Sequence, residues 1–215
     1  MIIVDRQQVV HNLFQNLPEP SKLLTNKRVT NINQDDERVY VHLHDGSVEE
    51  GDIVVGSDGI HSGVREHIWS HNGGISLSEK GKFTSEYIGL FGVSHKIPEL
   101  GESVTHLVHG HGLSILLFTQ PERVFWTFMI KDCEKRPYEK RVYSQQEVEN
   151  MAERFKDTHI TEAIKFSNLW SSRIRVGMVP IEEGVLDYWH SGRAVLVGDA
   201  AHKVSKTIFL RVFEN

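Results

Sequence analysis

Gly192-Arg193-Ala194-Val195-Leu196-Val197-Gly198-Asp199-Ala200-Ala201-His202 is the stretch that decides how this chain is read. A turn signal, Ser191-Gly192, opens it, and apolar or β-branched positions follow without alternation. Such a run predicts a strand buried on both faces, as in a parallel sheet covered by helices. The run ends in Gly198-Asp199 and small residues. A carboxylate at the carboxyl end of a buried parallel strand faces the crevice where open α/β sheets bind ligands. Gly198 lets backbone and ligand approach closely, and a carboxylate that only accepts hydrogen bonds suits a sugar-type hydroxyl. Taken alone, the stretch is equally consistent with a strand followed by a helix whose N-cap is Asp199.

A second stretch repeats this grammar. Asp52-Ile53-Val54-Val55-Gly56-Ser57-Asp58-Gly59-Ile60-His61-Ser62-Gly63-Val64-Arg65 runs from a short strand (Ile53 to Val55) through small residues and Asp-Gly into a helix near Ser62. Together the two stretches resemble the FAD-dependent group A flavoprotein monooxygenases, the aromatic hydroxylase family. That family carries a charged–apolar–apolar–apolar–small–small–Asp-Gly–x–charged–Ser–x–apolar–Arg pattern, and later a Gly-Arg-x-x-Leu-x-Gly-Asp-Ala-Ala-His run. Both are matched here, in the family's order. The fungal branch that includes paxilline-type epoxidases and meroterpenoid monooxygenases is more similar still. It shares Asp5-Arg6-Gln7, Trp170-Ser171-Ser172-Arg173-Ile174-Arg175 and Val179-Pro180-Ile181-Glu182-Glu183-Gly184-Val185.

The resemblance implies an FAD cofactor, NAD(P)H as co-substrate, and O2 as the source of the oxygen atom delivered to an aromatic ring or an alkene. It implies that Asp199, with Gly198, holds the ribityl chain. Asp58 with Gly59 would organise the pyrophosphate and pyridine-nucleotide region, and Arg6 would contact the FAD. The expected function is hydroxylation or epoxidation of an apolar aromatic or isoprenoid-type small molecule in secondary metabolism. The expected fold is α/β with an α+β insert: a partial, doubly wound parallel FAD-binding sheet over residues 1–71 and 181–215, interrupted over residues 72–180 by a mostly antiparallel substrate domain.

Composition sets the outer bounds. The chain has 215 residues, 39% of them hydrophobic, with 17 Gly in addition, which is ordinary for a globular protein with a sizeable core. A net charge of −5 without a Lys/Arg cluster argues against a nucleic-acid surface. One cysteine, Cys133, excludes an intrachain disulfide and fits a reducing, intracellular and cytoplasmic setting. No apolar run approaches the length that spans a membrane, and no basic-then-apolar leader opens the chain.

Along the chain, Asp5 to Gln8 reads as a capping box, and Val9, Val10, Leu13, Phe14 and Leu17 recur at helical spacing until Pro18 and Pro20. Arg6 lies one turn before Val10 and shares that apolar face. From spacing alone it would extend its head to solvent. Strands are expected at Lys27 to Ile32, Arg38 to Leu43 and Ser47 to Glu49, with turns at Asn33 to Asp36 and at Asp45-Gly46. His42-x-His44 and His109-Gly110-His111 read as solvent-facing pairs.

Asn72-Gly73-Gly74 reads as a linker. Tyr87 to Val93, Val104 to Val108, Leu113 to Phe118 and Val124 to Ile130 then predict an antiparallel sheet. Ser144 to Glu147 is a capping box that opens a helix with Val148, Met151, Ala152 and Phe155 on one face. A shorter helix is expected over Thr161 to Phe166. Phe118, Phe125, Trp126 and Phe128 are candidates for the wall of an apolar substrate pocket, though ordinary sheet packing accounts for any one of them.

Two expected features have no counterpart. Family members open with a strand, a Gly-x-Gly-x-x-Gly turn and a helix whose N-terminus holds the FAD pyrophosphate; Met1-Ile2-Ile3-Val4-Asp5 falls after that element. Lys206, Phe209 and Arg211 stand where the family places a proline and two glycines near the flavin. The chain thus resembles a fragment. The rival reading is a truncated, non-catalytic remnant that does not hold FAD. A third reading is another relative in the same flavoprotein superfamily, such as a halogenase or a prenyl reductase; the Lys and the Trp-x-Trp-x-x-Ile motif that such halogenases need are not found. No side chain presents itself as a general acid or base, and His202 is as readily a packing or capping residue.

Overall fold

The computed structural model describes residues 6–71, 79, 82–137 and 139–204. The fold is mixed α/β with mostly antiparallel sheets. It divides into two compact units: Met1–Gly74 with Tyr188–Ala201, and Ile75–Asp187 with His202–Asn215.

The first unit begins with α1 (Arg6–Gln15), none of whose residues is buried. Its apolar stripe is present but exposed: Val10 is 56% and Leu13 66% accessible. A meander follows: β1 (Val29–Gln34), β2 (Val39–Leu43) and β3 (Val48–Gly51), antiparallel in that order. Its turns are made by the residues that suit them. Asp35 accepts from the backbone N–H groups of Glu37 (2.8 Å) and Arg38 (2.7 Å), an Asx-type turn. Gly46, at φ +83°, supplies the left-handed position after Asp45.

The chain then enters β4 (Val54–Gly56), which pairs in parallel with β11 (Ala194–Leu196); β10 (His190–Ser191) adds to β11 antiparallel. Helix α2 (Gly63–His71) lies on one face of this sheet and buries Val64, Ile68 and Trp69. A Cβ on Gly56 would stand 2.6 Å from Cβ of Val64, so glycine is what lets β4 and α2 approach this closely.

The doubly wound, two-sided expectation is corrected here. Strand alternation turns Gly56 and Leu196 toward α2 and Val55 the other way, and Val55 is 50% exposed, with Ile53 and Val197 exposed beside it. Within the described residues a single helix covers this sheet, so its strands are buried on one side only.

The second unit is a six-stranded antiparallel sheet in the order β12-β9-β5-β8-β7-β6. Its strands are β5 (Thr84–His95), β6 (Thr105–Gly110), β7 (Leu113–Thr119), β8 (Arg123–Pro137), β9 (Arg173–Val185) and β12 (His202–Lys203). Alternation sends Ile88, Leu90, Ile115, Leu117, Trp126 and Phe128 to one face. There α3 (Gln145–Phe155) and α4 (Phe166–Ser171) cover them.

Ser144 caps α3 in a reciprocal box with Glu147, as the sequence predicts. Ala152 is buried, and Val148, Met151 and Phe155 pack against the core from the same helix face. Trp126 and Phe128 belong to this core, at 1% and 0% exposure. Trp126 Nε1 donates to Ser94 Oγ (2.8 Å), which donates to the Leu169 carbonyl (2.7 Å).

The short helix is displaced from its expected position. Residues 160–164 close a tight turn in which Ile160 and Thr161 both donate to the Ile164 carbonyl and Ile164 N–H donates to Thr161 Oγ1. The helix starts only at Phe166, where Asn168 Oδ1 accepts from Lys165 N–H at 2.9 Å. Local Thr and Asn hydrogen bonding competes with an earlier helix start.

Candidate functional site

β4 and β11 are parallel neighbours with Gly56 opposite Leu196, and Val197 N–H continues the ladder to the Gly56 carbonyl at 3.0 Å. Both strands therefore deliver their aspartate turns to the same, carboxyl-terminal edge. After β4 come Ser57-Asp58-Gly59; after β11 comes the 3-10 turn Gly198–Ala200. Gly59 (φ +79°) and Gly198 (φ +59°) both take the left-handed conformation. A Cβ on either would meet nothing within 4 Å. The glycines serve backbone geometry, and the space beside them is open.

The two carboxylates do different things. Asp58 Oδ2 accepts from the backbone N–H groups of Gly63 (2.7 Å) and Val64 (3.3 Å), and Ser62 Oγ accepts from Arg65 N–H (3.0 Å). Those are otherwise orphan donors of the first turn of α2, so Asp58 fastens the Asp-Gly turn to the helix. Asp199 is exposed on its own turn.

Arg65 joins the turns. Its guanidinium is buried, donates to the Ala200 carbonyl at 3.0 Å and to the Ile60 carbonyl, and stacks over Trp69 at 5.3 Å. Burial pulls its pKa below the ordinary arginine value, partly opposed by Glu66 and Asp58. In the sequence this residue is only the last position of the Asp-Gly pattern, with no role assigned. The signal was available: Arg65 lies on the helix face of Val64, Ile68 and Trp69, where a charge needs partners.

A further brace comes from Gln34, whose Oε1 accepts from Arg193 N–H (2.6 Å) and whose Nε2 donates to the Ser191 carbonyl (3.3 Å). It holds the entrance to β11 against the meander.

The structure thus brings Asp58, Gly59, Gly198 and Asp199 to one edge of one sheet. Arg6 is exposed at the first residue of α1, and the hydrogen bonds that tie the two turns together do not include it. Lys206, Phe209, Arg211, the Asn72-Gly73-Gly74 linker and the Asp5 cap lie outside the described residues. An exposed carboxylate beside one open left-handed glycine, with a second on the turn after the neighbouring strand, fits a flexible chain bearing hydroxyl and phosphate groups, such as the ribityl diphosphate part of FAD. The carboxylate accepts from hydroxyls, and the bare backbone admits close approach.

Comparison with known proteins gives the family. The FAD binding domain family matches residues 10–208, and the chain belongs to that family. Similar proteins include the FAD-dependent monooxygenase ausM of Penicillium brasilianum, 36% identical over 97% of this chain and 45% of its own length. The FAD-dependent monooxygenase paxM of Penicillium paxilli is 34% identical over 95% of this chain and 44% of its own. The chain spans slightly under half the length of these relatives. Among solved structures, Klebsiella pneumoniae HpxO complexed with FAD and uric acid superposes with a TM-score of 0.71 at 19% identity, over 95% of this chain and 50% of that one. A salicylate hydroxylase substrate complex gives 0.65 at 16% identity, over 92% and 50%. At those identities the likeness is one of fold.

Proposed function

We propose that this chain forms the central part of an FAD-dependent, NAD(P)H-using monooxygenase that hydroxylates or epoxidises an apolar aromatic or isoprenoid-type small molecule in secondary metabolism. The observation that carries the proposal is the meeting of the Asp58 and Asp199 turns at one edge of the β4–β11 pair. The fungal relatives support the reaction class.

In this reading Asp199 accepts hydrogen bonds from the ribityl hydroxyls, and Gly198 gives the chain room. Gly59 and the α2 N-terminus that Asp58 orders face the diphosphate side, and Arg6 supplies a cation to it. Bound FAD, reduced by NAD(P)H, supplies the activation of O2; the protein's part is binding, orientation and exclusion of water. Cytoplasmic residence belongs to the same proposal and rests on the single cysteine.

A second reading, a chain that does not hold FAD unaided, is favoured by the exposure of Ile53, Val55 and Val197 on the open side of the sheet. Titration of FAD into the purified chain, followed by quenching of flavin fluorescence, separates the two. Saturable binding that weakens about tenfold or more in Asp199→Ala supports the enzyme reading, since a hydrogen bond to a charged group is worth roughly 1.5–3 kcal/mol. No binding in the parent chain supports the second. Equal binding by parent and variant removes Asp199 from the site.

A further inference from the structure

Gln34 does more than brace two strands. Its side-chain amide meets three partners. Oε1 accepts from Arg193 N–H at 2.6 Å, and Nε2 lies 3.3 Å from the Ser191 carbonyl and 3.4 Å from Nε2 of His67 on α2. Gly192, between the two backbone partners, stands at φ +55°, and a Cβ there would lie 2.5 Å from Oε1. The amide is wedged into the Ser191–Arg193 turn, and glycine is what admits it.

The wedge fixes protons. Turning the amide over would set its NH2 against an N–H and its oxygen against a carbonyl, so Nε2 is the donor side. Facing that donor, Nε2 of His67 can only accept. Neutral His67 therefore carries its proton on Nδ1. A proton added at Nε2 sets donor against donor, and the amide cannot answer by turning over, because Arg193 and Ser191 fix its orientation.

β11 depends on this entrance. It has three residues, paired to β4 on one side and to the two-residue β10 on the other. So short a ladder leaves its register to whatever pins its ends. Val54 N–H meets the Arg193 carbonyl at 2.8 Å beside the wedge, and the far end of the strand leads into the Asp199 turn.

We propose that Gln34 is a positioning residue for the Asp199 turn and that His67 governs its hold: neutral His67 keeps the amide in the Ser191–Arg193 turn, and a proton on Nε2 of His67 releases it.

The surroundings favour the neutral form. Burial is the chief cause that lowers the His67 pKa, and the His71 ring, stacked 5.9 Å away, adds to it. The other charged groups on and beside α2 and the strands packed on it, β1, β4, β10 and β11, are engaged elsewhere or exposed. Arg65 holds the Ala200 and Ile60 carbonyls, Arg193 the Asp52 and Asp36 carbonyls, and Asp58 caps the far end of α2. Asp35 accepts from the Glu37 and Arg38 N–H groups, Asp52 pairs with Arg38, and Glu66 and His190 are exposed. The folded state binds the His67 proton less readily than the unfolded one. The contribution of the wedge is therefore present above the ordinary 6.5 and is lost as pH falls below it.

The consequence for flavin rests on the FAD reading, but the wedge is tested without flavin. Imidazole 15N NMR of the full chain should find neutral His67 protonated on Nδ1. Gln34→Glu should raise its titration midpoint by about one pH unit or more, because a carboxylate beside the ring favours the charged form. Exchange of the Val54 amide, corrected for its intrinsic pH dependence, should quicken about tenfold as pH falls below the ordinary histidine value, the factor that goes with one pH unit. His67→Gln, which does not titrate and can accept through its oxygen, should abolish that response. Circular dichroism shows whether each variant is folded; if His67→Gln is not, the tautomer and the Gln34→Glu midpoint decide. Neutral His67 protonated on Nε2, a midpoint unmoved by Gln34→Glu, or the same pH response in His67→Gln overturns the proposal. FAD affinity should fall over the same pH span in the parent chain and not in His67→Gln. A chain that binds no FAD at any pH fails the FAD reading and leaves the NMR outcomes in force, and failure of the NMR outcomes leaves the FAD reading untouched.

Discussion

The guanidinium of Arg65 donates to the carbonyl of Ala200 at 3.0 Å. Through that contact the helix after the first aspartate turn holds the second turn in place. Because the Ile60 carbonyl shares the same guanidinium, Arg65→Met leaves two carbonyls without their donor, and each such loss costs roughly 1–3 kcal/mol. The expected result is a destabilisation of about 2–4 kcal/mol in urea unfolding. Amide exchange at Ala201, whose N–H closes the Gly198 turn, should accelerate along with it. Unchanged exchange at Ala201 would show that the turn holds itself.

Asp58 and Asp199 should separate by phenotype. Asp58 caps α2, so Asp58→Ala should lower stability by about 1 kcal/mol, the usual worth of such a cap. Asp199 is exposed on its turn and does not cap α2, so Asp199→Ala should cost less stability than Asp58→Ala and show its main effect in FAD affinity. Thermal unfolding of the two variants side by side is the check; a larger stability loss at Asp199 than at Asp58 would reverse the division of labour.

Gly56→Ala tests the closeness of strand and helix. The added methyl would stand 2.6 Å from Cβ of Val64, which is fixed to the helix backbone, and 3.0 Å from Cδ2 of Leu196, which is buried. Overpacking of this kind costs about 1–3 kcal/mol. Val64→Ala combined with Gly56→Ala should recover part of the loss, which a double-mutant cycle reads directly.

Glu147 gives the second unit a pH signature. The Ser144 backbone N–H, then Arg141 and the Ser144 hydroxyl, hold its carboxyl down from an ordinary 4.5 to about 2. The folded state therefore binds this proton less readily than the unfolded one. Its contribution is present above the ordinary value and is lost as pH falls from about 4.5 to about 2. Between those limits Glu147→Gln should show a flatter fall in the melting temperature of α3 than the parent; identical slopes would mean that the box does not bind its proton differently on folding.

Much of this was legible in the residues. That Asp58 and Asp199 end two strands at one edge was legible because each follows a short apolar run and small residues, whereas the same pattern reads equally as a helix cap, which is the contact Asp58 makes. The Ser144–Glu147 box was legible because its partners are local. The displaced helix at Phe166 was not, since Thr161 and Asn168 choose between competing hydrogen bonds only once the turn is formed. Nor could period-2 alternation say which side of the sheet the helices would cover, so Trp126 and Phe128 could not be told from Phe118 and Phe125. Arg65 was visible as a charge on an apolar face, but its partner at Ala200 lies 135 residues away.

That separation has a kinetic side. The parallel pair β4–β11, the Arg65–Ala200 contact and the Gln34–Arg193 contact, 159 residues apart, all join the two ends of the first unit across the Ile75–Asp187 part of the second. During synthesis the β1–β3 meander can form early, but β4 has no parallel neighbour until Leu196 has left the ribosome. Closing so long a loop is slow, and a compact second unit shortens the effective tether by bringing its own ends together. The order of assembly is thereby written into the connectivity. The parallel pair that carries the aspartate turns forms only after residue 196, and a nascent chain halted before residue 194 would hold five of the six strands of the antiparallel sheet while β4 still lacked its parallel neighbour.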